Sequence, residues 1–422
     1  MRIAIIGSGI SGMVAAYLLQ RRHDIQVFEA GGHVGGHTWT IPVDEGNRTI
    51  PVDIGFIVYN ERTYPNFCRL MDELGVETEP SDMSFGVRSE RTGLEYCGSS
   101  SLSQLFAQRR NIVNPQFYRM IGGILRFHRR ALDLLDEDPA LTLGEYVRRE
   151  RLGGPFVEHY LIPMIASIWS TDPEKMFEFP ARTLAQFLNN HGMLQIQDRP
   201  QWRVVRGGSN SYVDKLTASF ADRIQVNSPV ASVKRRPHCV EVKIQDGPLE
   251  EFDTVVFATH SDQALSILGD ASDAEREVLS AIPYQPNDVV LHTDTSLMPK
   301  RRLAWASWNY HLDVPKGPES SDLPNPRGSR LTYWMNRLQN LDTDEEYLVT
   351  LNRTDAIDPQ KIIHRVTLHH PLFLSHSEEA KNRWSEINHD RTFFCGAYWG
   401  YGFHEDGVKS GLRVAAALGE SW

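Results

Sequence analysis

Six residues near the N-terminus carry the sharpest chemical signal in this 422-residue chain: Gly7-Ser8-Gly9-Ile10-Ser11-Gly12, a complete G-x-G-x-x-G. An apolar run, Arg2–Ile6, precedes them, and Met13–Leu19 follows with the character of a helix packed on a sheet. A second short strand, Ile25–Phe28, ends in Glu29. In such a unit Gly7 permits the tight turn, Gly9 leaves room for a pyrophosphate, and Gly12 lets helix and strand approach closely. The N–H groups of Ser8, Ile10 and Ser11 and the helix N-terminus then face the phosphates. Glu29 can accept both hydroxyls of an adenosine ribose, and its charge repels a 2′-phosphate, which disfavours NADP. A glycine-rich turn alone says little; strand, glycines, helix, strand and acid in register point to dinucleotide binding.

The elements that continue the site come next. Ala30-Gly31-Gly32-His33-Val34-Gly35-Gly36-His37-Thr38 is a second glycine cluster directly after the ribose acid. It suits a cofactor that runs on past the pyrophosphate. Val52–Val58 reads as a strand holding Gly55, and a glycine inside a strand often marks close backbone approach to a ligand. Ile224–Val233 reads as a further strand, and Phe252–His260 as an apolar strand ending in the small residues Ala258 and Thr259, which a cofactor passing overhead requires.

Length suggests two domains. A net charge of −10 argues against a nucleic-acid partner. The cysteines Cys68, Cys97, Cys239 and Cys395 form no C-x-x-C pair, so they read as reduced thiols with no zinc or other metal site. The chain enters a buried strand by residue 3 without a signal-peptide pattern, and no apolar run reaches the ~18 residues a bilayer span needs. The expected location is the cytoplasm, with surface contact to membrane lipid left open. That contact is suggested by residues 104–135, where Leu105, Phe106, Ile112, Phe117, Met120, Ile124 and Leu125 alternate with Arg109, Arg110, Arg119, Arg126, Arg129 and Arg130. The segment is either a basic amphipathic surface for anionic headgroups or the solvated face of a cap. Trp305, Trp308, Tyr310, Tyr333 and Trp334 pose a similar choice between core filling and the wall of an apolar substrate tunnel.

The Glu29…Gly35-Gly36…Thr38 spacing followed by Asp53-Ile54-Gly55-Phe56-Ile57 resembles the flavin-binding half of the amine-oxidase-like FAD superfamily, which includes amine oxidases, phytoene desaturases and protoporphyrinogen oxidases. Its members usually carry arginines around the second glycine pair, where this chain has His33 and His37. Asn60–Asn66, Ser81–Phe85, Leu105–Gln108 and His159–Met164 are similar to a narrower group, flavoproteins found beside or fused to cyclopropane-fatty-acid synthases. The resemblance covers nearly the whole chain. It implies non-covalent FAD, with Val230 touching adenine through its backbone. It also implies that Gly396, Ala397, Gly407 and Val408 hold the isoalloxazine, with the helix N-terminus near Gly407 and Val408 pointing its N–H groups at the flavin C2 carbonyl. Tyr398, Phe403 and His404 become the candidates nearest the flavin, and Trp305, Trp308 and Trp334 the candidates for binding substrate. Cys395 lies outside the setting in which amine oxidases attach flavin, and their flavin-linked lysine has no clear counterpart; Lys300 follows Met298-Pro299.

The expected fold is α/β. A Rossmann-like FAD-binding domain is assembled from residues 1–60, 200–265 and 385–422, and a substrate domain with a mainly antiparallel sheet and helices from 61–199 and 266–384. The expected chemistry is hydride transfer from a substrate C–H to flavin N5, on a lipid or fatty-acyl substrate. An amine, carotenoid or porphyrinogen oxidase on the same scaffold is one alternative. A non-catalytic FAD-containing partner of a lipid methyltransferase is the other.

Overall fold

A computed structural model describes residues 1–98, 101–169, 175–195, 199–312 and 330–422. Five parallel strands form its first sheet, in the order Ile224–Gln225, Asp24–Phe28, Arg2–Ile6, Thr254–Phe257, Thr392–Phe394. Ile3, Ala4, Ile5, Val255, Val256 and Phe257 are fully buried, as central strands of a sheet covered on both faces must be. The helix Ile10–Leu19 is apolar around its whole circumference and buries all but Tyr17, because the sheet lies on one side and the C-terminal helix His404–Ala417 on the other. Small residues let those helices close: a Cβ on Gly411 would sit 2.5 Å from the Ser11 carbonyl oxygen, and one on Gly407 2.5 Å from Ile10 Cγ2.

Two expected strands are broken. Between Thr49–Asp53 and Val58–Asn60 the chain leaves strand geometry at Ile54–Ile57. The close approach at Gly55 is by this chain's own backbone: a Cβ there would lie 1.9 Å from the His37 carbonyl oxygen, which accepts from the Phe56 N–H at 2.8 Å. Likewise 224–233 divides into Ile224–Gln225, in the parallel sheet, and Val230–Arg235, in a separate antiparallel three-strand sheet. Ser228-Pro229 lies at the division, where proline cannot donate to a ladder.

The larger sheet has seven strands in the order Ile362–Pro371, Tyr284–His292, Leu348–Leu351, Leu331–Trp334, Trp308–Leu312, Phe85–Ser89, Glu95–Gly98. Its neighbours are antiparallel except Trp308–Leu312 beside Phe85–Ser89. Helices including Pro115–Arg130 and Ala181–Asn190 pack on it through Phe117, Met120, Phe127, Phe156, Leu184 and Phe187.

Candidate functional site

The N-terminal turn is built as its spacing requires, and its three glycines do different work. Gly7 has φ +104°, and a Cβ on it would lie 2.7 Å from the Ala258 carbonyl oxygen. On Gly12 a Cβ would lie 2.3 Å from the Gly7 carbonyl oxygen. Both are glycine because this chain crowds them. Gly9 precedes the first helix in extended geometry, and a Cβ there would meet nothing within 4 Å. The space above it is an open cradle at a helix N-terminus, which fits a pyrophosphate. Glu29 faces the same turn: Oε2 accepts from the Ser8 N–H at 3.0 Å and the Ser8 hydroxyl at 2.5 Å, and Oε1 from the Gly31 N–H at 2.8 Å. Backbone bonds from Glu29 N–H to the Gln225 carbonyl and from Ser228 N–H to the Glu29 carbonyl bring the chain just ahead of Val230 to Glu29.

The second glycine cluster docks on the first. Gly35 donates to the Ser8 carbonyl at 3.1 Å, and a Cβ on Gly36 would lie 2.9 Å from Gly9 Cα. His33 is turned inward, its Nε2 2.7 Å from the Thr38 carbonyl oxygen and its ring stacked on Trp39. His37 lies half-buried, edge-on against His260 and His370, with ring centroids 5.8 and 5.4 Å away. Burial holds His37 and His370 down to about 3 and His260 to about 4, with mutual repulsion adding to each. All three are neutral imidazoles at neutral pH.

Thr38 closes the circuit to the other end of the chain. Its Oγ1 lies 2.5 Å from the Tyr212 hydroxyl and 3.1 Å from His404 Nε2, and the Tyr212 hydroxyl lies 2.6 Å from the same nitrogen. The His404 ring lies flat on Phe56, 3.6 Å between centroids at 6°. Burial, with His37 adding, holds His404 down to about 3. The structure brings Thr38, Phe56 and His404 together and adds Tyr212, which no motif marked.

The C-terminal helix begins at His404, three residues ahead of Gly407. The Gly407 N–H already donates to the Phe403 carbonyl at 3.1 Å, so the amides without a helical acceptor are those of the first turn, His404 and Glu405. Gly407 is small to admit Ile10, and Val408 is fully buried. The two carboxylates of that turn are committed. Glu405 accepts from Asn66 Nδ2 at 2.7 Å and the Phe67 N–H at 2.9 Å; Asp406 accepts from the N–H groups of Tyr401 and Phe403. Tyr398 is buried over Gly396, where a Cβ would lie 2.2 Å from its Cε1. Ala397 starts the short turn that carries Tyr398. Cys395 is fully buried, and burial pushes its thiol up to about 12.

Phe403 points toward an aromatic group that sequence reading missed. Its ring stacks on Phe187 at 5.1 Å and lies 5.6 Å from His191, which stacks on Phe187 at 3.9 Å and on Trp202 at 6.3 Å. Burial holds His191 to about 4, hence neutral. The hydrophobic repeat of Ala181–Asn190 was the available signal, since it buries Phe187, and His191 caps the same helix four residues on. Of the three tryptophans, only Trp308, edge-on to Tyr333 at 5.0 Å, packs against the core to which Phe403 also packs. Trp305 and Trp334 form a separate edge-to-face pair at 5.3 Å, with Arg302 over both rings and their indole N–H groups given to the Pro299 carbonyl and Glu346. Strand alternation puts Tyr333 and Trp334 on opposite faces of the sheet, so the structure does not bring these three tryptophans to one wall. Among the described residues no cluster could hold a metal ion.

The same architecture recurs in solved proteins. A putrescine oxidase variant superposes with a TM-score of 0.69 at 15% identity over 99% of this chain and 98% of its own. A CLA-producing fatty acid isomerase from P. acnes does so with 0.68 at 17% identity over 98% of each chain. In sequence, a protoporphyrinogen oxidase from Arabidopsis thaliana is 23% identical over 184 residues, which is 42% of this chain and 34% of that relative's length. The match to the flavin containing amine oxidoreductase family model runs from residue 10 to 419, and the chain belongs to that family.

Proposed function

We propose that this protein is an FAD-dependent oxidoreductase that takes a hydride from a C–H of a lipid or fatty-acyl substrate. Gly9 with the N-terminal helix would hold the pyrophosphate, Glu29 the ribose, and the Gly396–Val408 segment the isoalloxazine, which when bound supplies the hydride acceptor. The buried, poorly ionised Cys395 supports non-covalent attachment.

The observation that carries the substrate class is the neutral, apolar character of the surface beside Phe403. Phe187, His191 and Phe403 present ring faces, and the histidine there is uncharged at neutral pH. The nearby carboxylates of Glu405 and Asp406 are spent on backbone N–H groups. From Phe187 one continuous apolar core leads through Trp308, Tyr333, Tyr160 and Phe156 to Phe117 and Met120. Surroundings of this kind exclude water and would suit an apolar chain laid beside Phe403; they offer no free carboxylate to an ammonium group. The P. acnes isomerase, named for a fatty-acid product, supports the reading by showing this fold in fatty-acid chemistry.

Anaerobic mixing of the FAD-loaded protein with fatty-acyl and phospholipid substrates, and with primary amines as comparators, tests it by flavin absorbance. Bleaching by an acyl substrate is expected. Bleaching by amines alone would overturn the assignment. Acid precipitation should leave free FAD in the supernatant.

A further inference from the structure

We infer that the outer face of residues 102–132 is a docking surface for an anionic lipid bilayer. The first ground is exposed apolar area. Leu102, Ile112, Val113, Tyr118, Leu125 and Leu132 are 72, 49, 81, 49, 46 and 45% exposed. They are six of the eleven large hydrophobic residues exposed among the described residues, drawn together within 31 positions. Scattered exposed apolar residues need no explanation; a concentration does.

The second ground is geometry. Pro115–Arg130 buries Phe117, Met120 and Phe127 on its inner face. Tyr118, Leu125 and Arg129, spaced seven and four, lie on its outer face, with Arg119, Arg126 and Arg130 as the adjacent stripe. The Tyr118 hydroxyl donates to the Ile112 carbonyl at 2.9 Å, so the tip Ile112-Val113 is pinned to the helix start. A cavity of about 640 Å³ opens beside that tip, lined among others by Val113, by Arg110 and by the ion pair of Arg91 with Glu158. Two buried polar atoms of its lining residues, Asn111 Oδ1 and His159 Nδ1, have no hydrogen-bond partner. A recess of this kind suits a polar headgroup beside an inserted apolar tip.

Charge complementarity selects the occupant. Residues 101–130 contain six arginines and no aspartate or glutamate, in a chain of net charge −10. Glu150 neutralises part of this through Arg126 and Arg130, but it lies outside the segment and leaves the exposed Arg109, Arg119 and Arg129 facing outward. Arginines around protruding Val, Ile and Leu side chains match a surface that is negative outside and hydrocarbon beneath. No described helix is long and apolar enough to cross a membrane, so the contact is peripheral.

Co-sedimentation of the FAD-loaded full chain with phosphatidylcholine vesicles, with and without 30% phosphatidylglycerol, tests this. Binding is expected to be at least tenfold tighter to the anionic vesicles and to fall with salt. Val113→Asp with Ile112→Asp should weaken it tenfold or more, as should Arg109→Glu with Arg119→Glu and Arg129→Glu, at unchanged melting temperature and flavin content. Equal binding to both vesicle types, or full binding by either folded variant, would overturn the proposal. So would a concentration-dependent dimer that the same substitutions abolish without any vesicle binding by the native chain. A variant that melts early is replaced by Val113→Ser with Arg119→Gln, read the same way.

Discussion

The imidazole of His404 lies flat on the ring of Phe56, 3.6 Å away, while its Nε2 meets the hydroxyls of Tyr212 and Thr38. Four residues distant in sequence thus meet in one packed contact: the turn at Thr38, the irregular segment that carries Phe56, the helix Asn210–Thr217 and the C-terminal helix are locked together at a neutral histidine. His404→Phe keeps the stack and deletes the nitrogen. Because Tyr212 and Thr38 still bond each other at 2.5 Å, the loss should be modest, about 1–2 kcal/mol in urea unfolding. His404→Ala removes the stack as well and should cost clearly more in the same measurement.

Acid should destabilise the protein through its buried histidines. His37, His370 and His404 are held to about 3, and His260 to about 4, against an ordinary 6.5. Their folded-state values are depressed, so the unfolded chain binds more protons between 6.5 and those values. Stability is then complete above pH 6.5 and falls as pH drops below it. At pH 5.5 each such group contributes a loss of about 1 kcal/mol. Melting temperature measured from pH 8 to 5 should be flat above about 6.5 and decline below, and His370→Gln should flatten the decline. A melting temperature that rises toward pH 5 would contradict this electrostatic picture.

The N-terminal turn separates cofactor binding from folding in a single experiment. Gly9→Ala introduces a methyl group into open space at a backbone conformation any residue adopts, so the apoprotein should melt within a degree or two of the parent. The methyl stands where the pyrophosphate would lie, and FAD affinity measured by fluorescence quenching should fall at least tenfold. Gly12→Ala places its methyl 2.3 Å from a backbone oxygen and should destabilise the apoprotein itself by about 1–3 kcal/mol.

This contrast also shows what was legible in the sequence. Gly7, Gly9, Gly12 and Glu29 were readable because a βαβ turn leaves few choices at those positions, and the parallel sheet followed from its apolar strands. Gly55 was readable as a close-approach glycine but not for its partner, since the His37 carbonyl comes from a segment whose path depends on the whole fold. The same holds for Tyr212, Phe187 and His191, which carry no local motif and acquire meaning only when three distant segments meet. The tryptophans divide for a reason no motif carries: Trp308 lies with Tyr333, while strand alternation turns Trp334 to the other face, where it meets Trp305.

Asp53 supplies the last prediction. It is fully buried and takes four donors: Thr40 Oγ1 at 2.5 Å, the Ser209 N–H at 2.9 Å, the Ser209 hydroxyl at 2.8 Å and Gln339 Nε2 at 2.8 Å. Its own N–H donates to Gln339 Oε1 at 2.9 Å. One carboxylate therefore joins the 49–53 strand, the start of the helix Asn210–Thr217 and the end of the short helix Met335–Leu338. Burial outweighs those bonds and raises it to about 6 from 3.8. A raised acid is more protonated folded than unfolded, so this group's contribution to stability falls by about 3 kcal/mol as pH rises from about 4 to 6 and is flat above. Asp53→Asn removes the charge but turns an amide donor toward a site built of donors. The lost acceptance should outweigh the relieved burial cost, lowering stability by about 2–3 kcal/mol at pH 7 in urea unfolding. Near pH 5, where the native carboxyl is largely protonated and itself carries a donor, the difference between Asp53→Asn and the parent should shrink. A gap that stays constant from pH 5 to 8 would mean the carboxylate's charge is not what organises this junction.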